Sequence, residues 1–418
     1  MDLLIGHYQI SNSDKVGEIS ITGSKSESNR LLILKNQFPD LQIKNLSKSD
    51  DTTYLKKMLS SKEYILDIGH AGTAMRFGTA YFACQENREV VLTGSSRMKQ
   101  RPIKILVDAL NELGGEVSFM EQEGYPPLKI KGKKMKGGAI NIDGGVSSQF
   151  LTALLLVATK FDEGLNLHIT NLTSIPYLKM TFNILKDLGF KVSWEEQGSY
   201  TIISLEGNSE IGKNQIFEVE SDWSSAGYWF SWVSMQEQGY KMELGHFKKN
   251  SLQGDSKLRE VYKILGVSSQ VNEGKLALIK EPVSLPEVFE YDFSDIPDQA
   301  QTVFATCIGL GIGIKFTGLH TLKVKETDRI EAMKIVGSRF RESEISTTTD
   351  TISMKMLAQS TFKNKVIVDT FQDHRMAMAF APLCTKTSMI IKDAGVVTKS
   401  YHDFWDDLKR LGVDISER

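Results

Sequence analysis

Ala71-Gly72-Thr73-Ala74-Met75-Arg76-Phe77-Gly78-Thr79-Ala80-Tyr81-Phe82-Ala83 is a small, polar start running into an apolar helix, and the same design returns along the chain. It reappears at Ser147 (SSQFLTALLLVA), Ser224 (SSAGYWFSWVSM), Asp298 (DQAQTVFATCIGL) and Asp373 (DHRMAMAFAPLC), at intervals of 76, 77, 74 and 75 residues by subtraction. A related start lies at Ser24 (SKSESNRLLILK). A second kind of segment is an amphipathic helix closed by Leu-Gly and followed by a strand. It is seen in RPIKILVDALNELGGEVSF, PYLKMTFNILKDLGFKVSW, KLREVYKILGVSSQV and SYHDFWDDLKRLGVDI. Its closing glycines, Gly114, Gly189, Gly266 and Gly412, are spaced by 75, 77 and 146 residues, the last about two periods. Glycine suits that place because a helix C-cap often needs the left-handed conformation. The copy expected near residue 339 reads Arg339-Phe340-Arg341, without glycine, and is a drifted one. Between the helices, EVVLTG, LKIKG, INIDGG, LNLHITNL, YTIISLEG, KMELG, LALIK, IKFTGL, ISMKM, KVIVDT and MIIKDAG read as strands from their β-branched content and alternation. A period near 75 with two helices and several short strands predicts a repeated α/β unit, too long for a common solenoid. Chance regularity in an α/β chain is the competing explanation.

The bulk properties narrow the function classes. The chain has 418 residues, 41% of them apolar and 24% charged, which suits a soluble protein of two or three domains. A net charge of −2 gives no global field to recruit nucleic acid or an anionic membrane, so anion binding must come from local clusters of Lys and Arg. No apolar run approaches the roughly 18 residues needed to span a bilayer. The start, Met1 to His7, has no basic stretch leading an apolar core, so no signal peptide and a cytoplasmic location are expected. Cys84, Cys307 and Cys384 lie far apart with neither metal-ligand spacing nor a disulfide framework, and free thiols are expected.

The charged and hydroxyl residues keep choosing helix starts. Gly23-Ser24-Lys25-Ser26-Glu27-Ser28-Asn29-Arg30 follows a strand expected over Glu18–Thr22. A helix N-terminus there offers unpaired N–H groups and partial positive charge to an anion, with Ser26 and Arg30 on one face, although plain capping by Ser24 or Ser26 explains the serines equally well. In Gly69-His70-Ala71-Gly72-Thr73-Ala74-Met75-Arg76, Gly72 lets backbone approach a ligand closely. Arg97-Met98-Lys99-Gln100-Arg101-Pro102 places three cations in five residues before a helix, a carboxylate or phosphate clamp in which Lys99 is the one better read as a solvated lysine. Ser147-Ser148-Gln149 forms a neutral phosphate cradle. Asp298, after Pro297, is either a base or an N-terminal cap. Lys325, Glu326 and Arg329 are read as sharing neighbouring helix faces, with the carboxylate's pKa lowered, or else as an exposed salt-bridged helix start. Asp373-His374-Arg375 opens an apolar helix, and Lys399 is placed at the start of the final helix.

Through these segments the chain resembles the EPSP synthase (3-phosphoshikimate 1-carboxyvinyltransferase) family over almost its whole length. GSKSESNR, Asp50-Asp51, AGTAMR, LTGSSRMKQRPI, EQEGYPPL, GGVSSQFLTALLL, SIPY, VESDWSSAGY, DIPDQAQT, KVKETDRIEAM, DHRMAMAF and KDAGVVTKSYHDF carry the likeness. The resemblance implies the two-domain enolpyruvyl transferase fold, each domain made of three repeated α/β units with helices inside and sheets outside, and ligands held in the cleft between domains. Residues 1–22 with 221–418 would form the discontinuous domain and 23–220 the inserted one. It implies that Lys25 touches both substrates, and that Ser26 and Arg30 hold the ring and carboxylate of 3-phosphoshikimate. Ser147, Ser148 and Ser174 would hold its phosphate, with Gln149 bridging to phosphoenolpyruvate. Gly72, Arg101, Arg329, Arg375 and Lys399 would bind phosphoenolpyruvate. Asp298 matches the acceptor of the proton from the attacking hydroxyl, while Glu326 and Lys325 match the groups that move a proton at the enolpyruvyl methylene. Asp298 and Lys325 would also touch 3-phosphoshikimate. No metal, organic cofactor, nucleic acid or membrane partner is implied, and a monomer is expected.

This sequence departs from the family pattern at His70, where Asn is usual, and at Thr321, where an Asn commonly helps hold the substrate phosphate. Ile175 and Trp223 are unusual in their segments too. The alternatives are a UDP-N-acetylglucosamine enolpyruvyl transferase, a non-catalytic phosphometabolite-binding regulator and a nucleic-acid-processing relative. The first typically uses a cysteine on a mobile loop, whereas the cysteines here lie in apolar segments. The second would lack a proton-transfer group, and the third is disfavoured by the charge.

Overall fold

All eleven β-rich stretches fall on strands in the computed structural model, which describes residues 1–8, 16–145 and 147–418. Four of the sheets repeat one plan, shown by Ile65–Asp67, Glu89–Thr93, Leu128–Lys131 and Glu116–Phe119, written here in spatial order. The first two strands are parallel, the third runs antiparallel to the second, and the fourth pairs antiparallel with the third. Gly138–Asp143, Leu165–Thr170, Tyr200–Leu205 and Val192–Gln197 follow the same order, as do Gly17–Ile19, Lys241–Leu244, Lys275–Lys280 and Val267–Asn272. Val288–Asp292, Gly313–Thr317, Ile352–Met356 and Ser343–Thr347 make the fourth. A fifth sheet keeps the spatial plan with the chain ends inside it. Leu3–Ile5 is its third strand and Ile415–Glu417 its fourth, beside Met389–Ile391 and Val366–Val368. Among the described residues the sixth repeat retains a parallel pair, Gln42–Lys44 with Ile216–Glu218.

This plan explains why one unit is built from two separate stretches of the chain. Contacts divide it into two units, Met1–Thr22 with Glu220–Arg418, and Gly23–Val219. In the repeat begun by Gly17–Ile19 the chain leaves after the first strand and returns only at Lys241–Leu244. Inside Gly23–Val219 the same departure occurs between Gln42–Lys44 and Ile216–Glu218.

The helices alternate between the two kinds read from the sequence. Lys25–Gln37, Gly72–Ala83 and Ser148–Ala158 touch one another in one unit, and Trp223–Ser234, Ala300–Leu310 and His374–Phe380 do so in the other. Every residue of Gly72–Ala83 and of His374–Phe380 is buried. A helix apolar on all sides must be surrounded, and these form the centre of each unit. Strands such as Gly138–Asp143 and Leu165–Thr170 alternate buried and exposed side chains, so each sheet covers the helices with one face and meets solvent with the other. The amphipathic helices end where expected: φ is +101° at Gly114, +89° at Gly189, +84° at Gly266 and +95° at Gly412. The drifted copy is the helix Arg329–Gly337, which ends with Ser338 still right-handed and Phe340 buried as its anchor. Asp50–Ser60 is a further amphipathic helix, hidden from the glycine signature because it stops at extended Ser61.

Candidate active site

In the unit Gly23–Val219, Ser24 caps the helix Lys25–Gln37 by accepting from the Glu27 N–H at 3.4 Å. Lys25 lies 3.5 Å from Asp51 of the helix Asp50–Ser60. Asp51 is buried, and nothing in its local sequence beyond the Asp50-Asp51 pair announces the contact. Ser26 is half-buried, and its carbonyl accepts from Arg30 at 2.8 Å. Arg30 itself is 4% exposed. Its guanidinium also donates to Thr181 Oγ1 at 2.8 Å and the Tyr177 carbonyl at 3.0 Å, tying the first helix to Ile175–Asp187.

Gly72 and Arg101 meet. A Cβ on Gly72 would fall 2.5 Å from Arg101 Nη1, so the guanidinium rests against the first residue of the buried helix Gly72–Ala83. A cation and a helix N-terminus carry the same sign, and the pair is poised to share an anion. Arg76 fastens this corner by donating to the Gly72 and Pro102 carbonyls, each at 3.3 Å. Lys99 pairs at the surface with Glu121 at 2.9 Å, as a solvated lysine should. His70 is exposed and edge-on to Tyr54, ring centroids 5.8 Å apart.

Ser147 is the N-cap of Ser148–Ala158, its Oγ accepting from the Gln149 N–H at 3.3 Å. Ser148 and Gln149 are half-buried in that first turn. The adjoining helix Ile175–Asp187 starts from Ser174, which is left-handed at φ +51° and makes no capping bond. A non-glycine residue held there is strained, a condition that clusters at ligand sites.

The other unit gathers six of the expected residues into one charged network. Asp298, in the 3-10 turn Pro297–Gln299, lies 2.8 Å from Arg329, 3.1 Å from Arg375 and 3.5 Å from Lys325. The Asp298 carbonyl also accepts from Arg375 at 3.1 Å. Glu326 lies 2.9 Å from Arg329 and 2.5 Å from Lys399. Burial opposes ionisation of Asp298, but Arg375, Lys325 and Arg329 outweigh it and hold the carboxyl far below the usual range. Burial likewise disfavours the Arg329 charge, and Asp373, Glu326 and Asp298 reverse that effect, so Arg329 stays protonated at any accessible pH.

Asp373, which the sequence places at the start of an apolar helix without assigning it a role, is the seventh member of the network. It caps His374–Phe380 by accepting from the Arg375 N–H at 2.9 Å, and it takes Arg329 Nε at 2.6 Å. Its place immediately before His374-Arg375 at a helix start was the available signal. Two placements also differ from the sequence reading. Lys325 and Arg329 do not share a helix face: Lys325 follows the 3-10 turn His320–Val324, and the helix begins at Arg329, capped by Asp328. Lys399 closes the 3-10 stretch Ala394–Lys399 rather than opening the final helix, which is Phe404–Arg410. In both cases tight turns bring the side chain to a carboxylate that regular helix geometry would not reach. Thr321 is 8% exposed, and its hydroxyl has no hydrogen-bond partner among the described residues. Trp223 fits its unusual position by donating from Nε1 to buried Glu220 at 2.8 Å.

Cys307 and Cys384 are buried, Cys84 is half-buried, and burial pushes all three thiols upward, that of Cys384 to about 12. None is a ready nucleophile. Among the described residues no cluster of His, Cys, Asp or Glu has the makings of a metal site, and no helix is long and apolar enough to cross a membrane.

The family model for EPSP synthase (3-phosphoshikimate 1-carboxyvinyltransferase) matches residues 43–408. A 3-phosphoshikimate 1-carboxyvinyltransferase of Bacteroides fragilis strain YCH46 is 38% identical over 407 residues, 95% of each chain. One from Vibrio atlanticus strain LGP32 is 33% identical over 95% of this chain and 97% of its own. The EPSP synthase structure from Acinetobacter baumannii superposes with a TM-score of 0.73 at 19% identity over the whole of both chains. The enolpyruvyl transferase NikO from Streptomyces tendae gives 0.72 at 13% identity, over 99% of this chain and 98% of that one. At such identities the two structures speak to the fold alone, which is that of the enolpyruvyl transferases.

Proposed function

The chain belongs to the EPSP synthase (3-phosphoshikimate 1-carboxyvinyltransferase) family, and from that premise we propose how its side chains divide the work. The reaction transfers the enolpyruvyl group of phosphoenolpyruvate to the 5-hydroxyl of 3-phosphoshikimate and releases phosphate. In our reading, Ser147, Ser148 and Ser174 take the 3-phosphate, and Ser26 and Arg30 orient the ring and its carboxylate. Thr321 adds its hydroxyl. Arg101 with Gly72, Gln149, Arg329, Arg375 and Lys399 take phosphoenolpyruvate, and Lys25 serves both substrates.

The observation that carries this reading is the network of Asp298, Glu326, Asp373, Lys325, Arg329, Arg375 and Lys399. Seven charged groups fixed by one another are preorganised, so they stabilise developing charge without reorganising during the reaction. Glu326, between Arg329 and Lys399, is suited to exchanging a proton at the methylene carbon, with Lys325 assisting. Protonation there makes C2 electrophilic, the 5-hydroxyl attacks, and Asp298 receives its proton. A carboxylate held low by three cations is a weak base. Substrate anions that draw Arg375 and Lys325 toward themselves restore its basicity, which links proton abstraction to occupancy of the site. The tetrahedral intermediate then expels phosphate as its methyl group returns a proton to Glu326, which restores the carbon–carbon double bond of the transferred enolpyruvyl group. The protein acts as a monomer, which light scattering on the purified protein tests.

Phosphate release with phosphoenolpyruvate and 3-phosphoshikimate, but not with UDP-N-acetylglucosamine, is the expected result. Release with the sugar nucleotide alone would overturn the substrate assignment. Arg375→Ala should raise the phosphoenolpyruvate KM far more than the 3-phosphoshikimate KM, and equal effects would remove Arg375 from its role.

A further inference from the structure

Behind Arg375 lies a carboxylate that neither the sequence motifs nor the reaction uses. Asp255, in the 3-10 turn Gly254–Lys257, is 3% exposed. Its Oδ2 accepts a short hydrogen bond from Ser224 Oγ and another, at 2.7 Å, from Gln299 Nε2. Ser224 lies in the first turn of Trp223–Ser234, and Gln299 directly follows Asp298. Ser224 Oγ in turn accepts from Arg375 Nη2 at 3.4 Å, the same nitrogen that reaches Asp298 Oδ2 at 3.1 Å. A hydroxyl has one proton to give. With that proton committed to Asp255, the oxygen lone pairs of Ser224 are left for the guanidinium.

The neighbouring helix leaves room for the arrangement. A Cβ on Gly227 would fall 2.5 Å from Gln299 Oε1 and 3.0 Å from Leu258 Cδ1, so only a residue without a side chain admits the Gln299 amide here. Buried carboxylates are costly unless their acceptors are used, and one serving two donors beside an arginine is a built feature rather than a stray charge.

We infer that Asp255 is a positioning residue for phosphoenolpyruvate: through Ser224, and through Gln299 and the turn whose Asp298 carbonyl and carboxylate accept from Arg375, it sets the orientation of Arg375. This rests on the assignment of Arg375 to phosphoenolpyruvate. Asp255→Asn keeps the shape and removes the charge. It should raise the phosphoenolpyruvate KM about tenfold, the order expected for a lost charge-assisted hydrogen bond, with the 3-phosphoshikimate KM changed by less than about twofold. Ser224→Ala, which cuts the relay without touching the carboxylate, should shift the same constant in the same direction. In an Arg375→Ala background Asp255→Asn should add less than about twofold, because its effect runs through an arginine already gone.

Phosphate-release kinetics on the full chain, with thermal melts as a control on folding, decide the matter. Equal rises in both KM values, or full additivity in the double variant, would reduce Asp255 to a structural group. A large effect of Arg375→Ala with Asp255→Asn silent would overturn the relay alone. An Arg375→Ala variant with its phosphoenolpyruvate KM unmoved would overturn the arginine's assignment and the relay together.

Discussion

Asp298 shows how burial and charge compete at a single side chain. Burial alone would raise its pKa, yet Arg375, Lys325 and Arg329 bring it down. An unfolded aspartate titrates near about 3.9. A depressed folded value therefore contributes stability that is present above about pH 4, diminishes below it, and is gone once pH falls through the folded value. Asp298→Asn removes that titration while leaving the raised carboxyls of Glu220 and Asp255 common to both proteins. Below about pH 4 the wild type should lose stability more steeply than the variant, by about 1.4 kcal/mol per pH unit, in urea unfolding curves taken at several pH values. Parallel pH profiles would mean that the ion pairs do not hold Asp298 down in solution. Arg329 tests shape instead of charge. It serves Asp298, Glu326 and Asp373 at once, which a planar fork does and a lysine does not. Arg329→Lys should cost about 2–4 kcal/mol of stability and at least about tenfold in kcat/KM.

Two glycines at opposite ends of helices separate function from stability. Gly72 begins a helix against the tip of Arg101, a flexible side chain that yields easily. Gly72→Ala should leave the melting temperature within about 2 °C but raise the phosphoenolpyruvate KM about tenfold, since the displaced guanidinium no longer shares an anion with the helix N-terminus. Gly189 ends a helix at φ +89° with open space around it, so any penalty for a Cβ is backbone strain. Gly189→Ala should cost about 1 kcal/mol and leave both KM values unchanged. The reverse pattern in either variant would break the link between position and role.

The repeat plan also governs the chain as a continuous thread. Leu3–Ile5 is an interior strand, hydrogen-bonded on one side to Met389–Ile391 and on the other to Ile415–Glu417, and the Arg418 N–H donates to the Asp2 carbonyl at 3.1 Å. In the complete repeats that third strand is joined to the fourth by a hairpin. Joining residue 418 to residue 1 through a short glycine-serine linker, and reopening the chain at the exposed turn Glu273-Gly274, converts one repeat into the form of its siblings. The permuted protein should melt within a few degrees of the parent and keep its phosphate-release activity, as permutation at exposed hairpin tips usually allows. Deleting residues 1–5 instead should abolish the cooperative melt, because an interior strand is gone and its neighbours' ladder groups are left unpaired.

The repeat is legible in the sequence because its signals are local. Apolar runs, helix-closing glycines and β-branched stretches act over a few residues and recur near every 75. Strands of three residues such as Gln42–Lys44 and Ile65–Asp67 are not legible, being too short to show alternation. Most of the charged residues are also identifiable, from their places at helix starts. Their partners are not. Asp373 against Arg329, Asp51 against Lys25 and Asp255 behind Ser224 are separated in sequence by 44, 26 and 31 residues, by subtraction. A hydrogen bond or ion pair across such distances depends on how turns and helices pack, and local pattern carries no information about that.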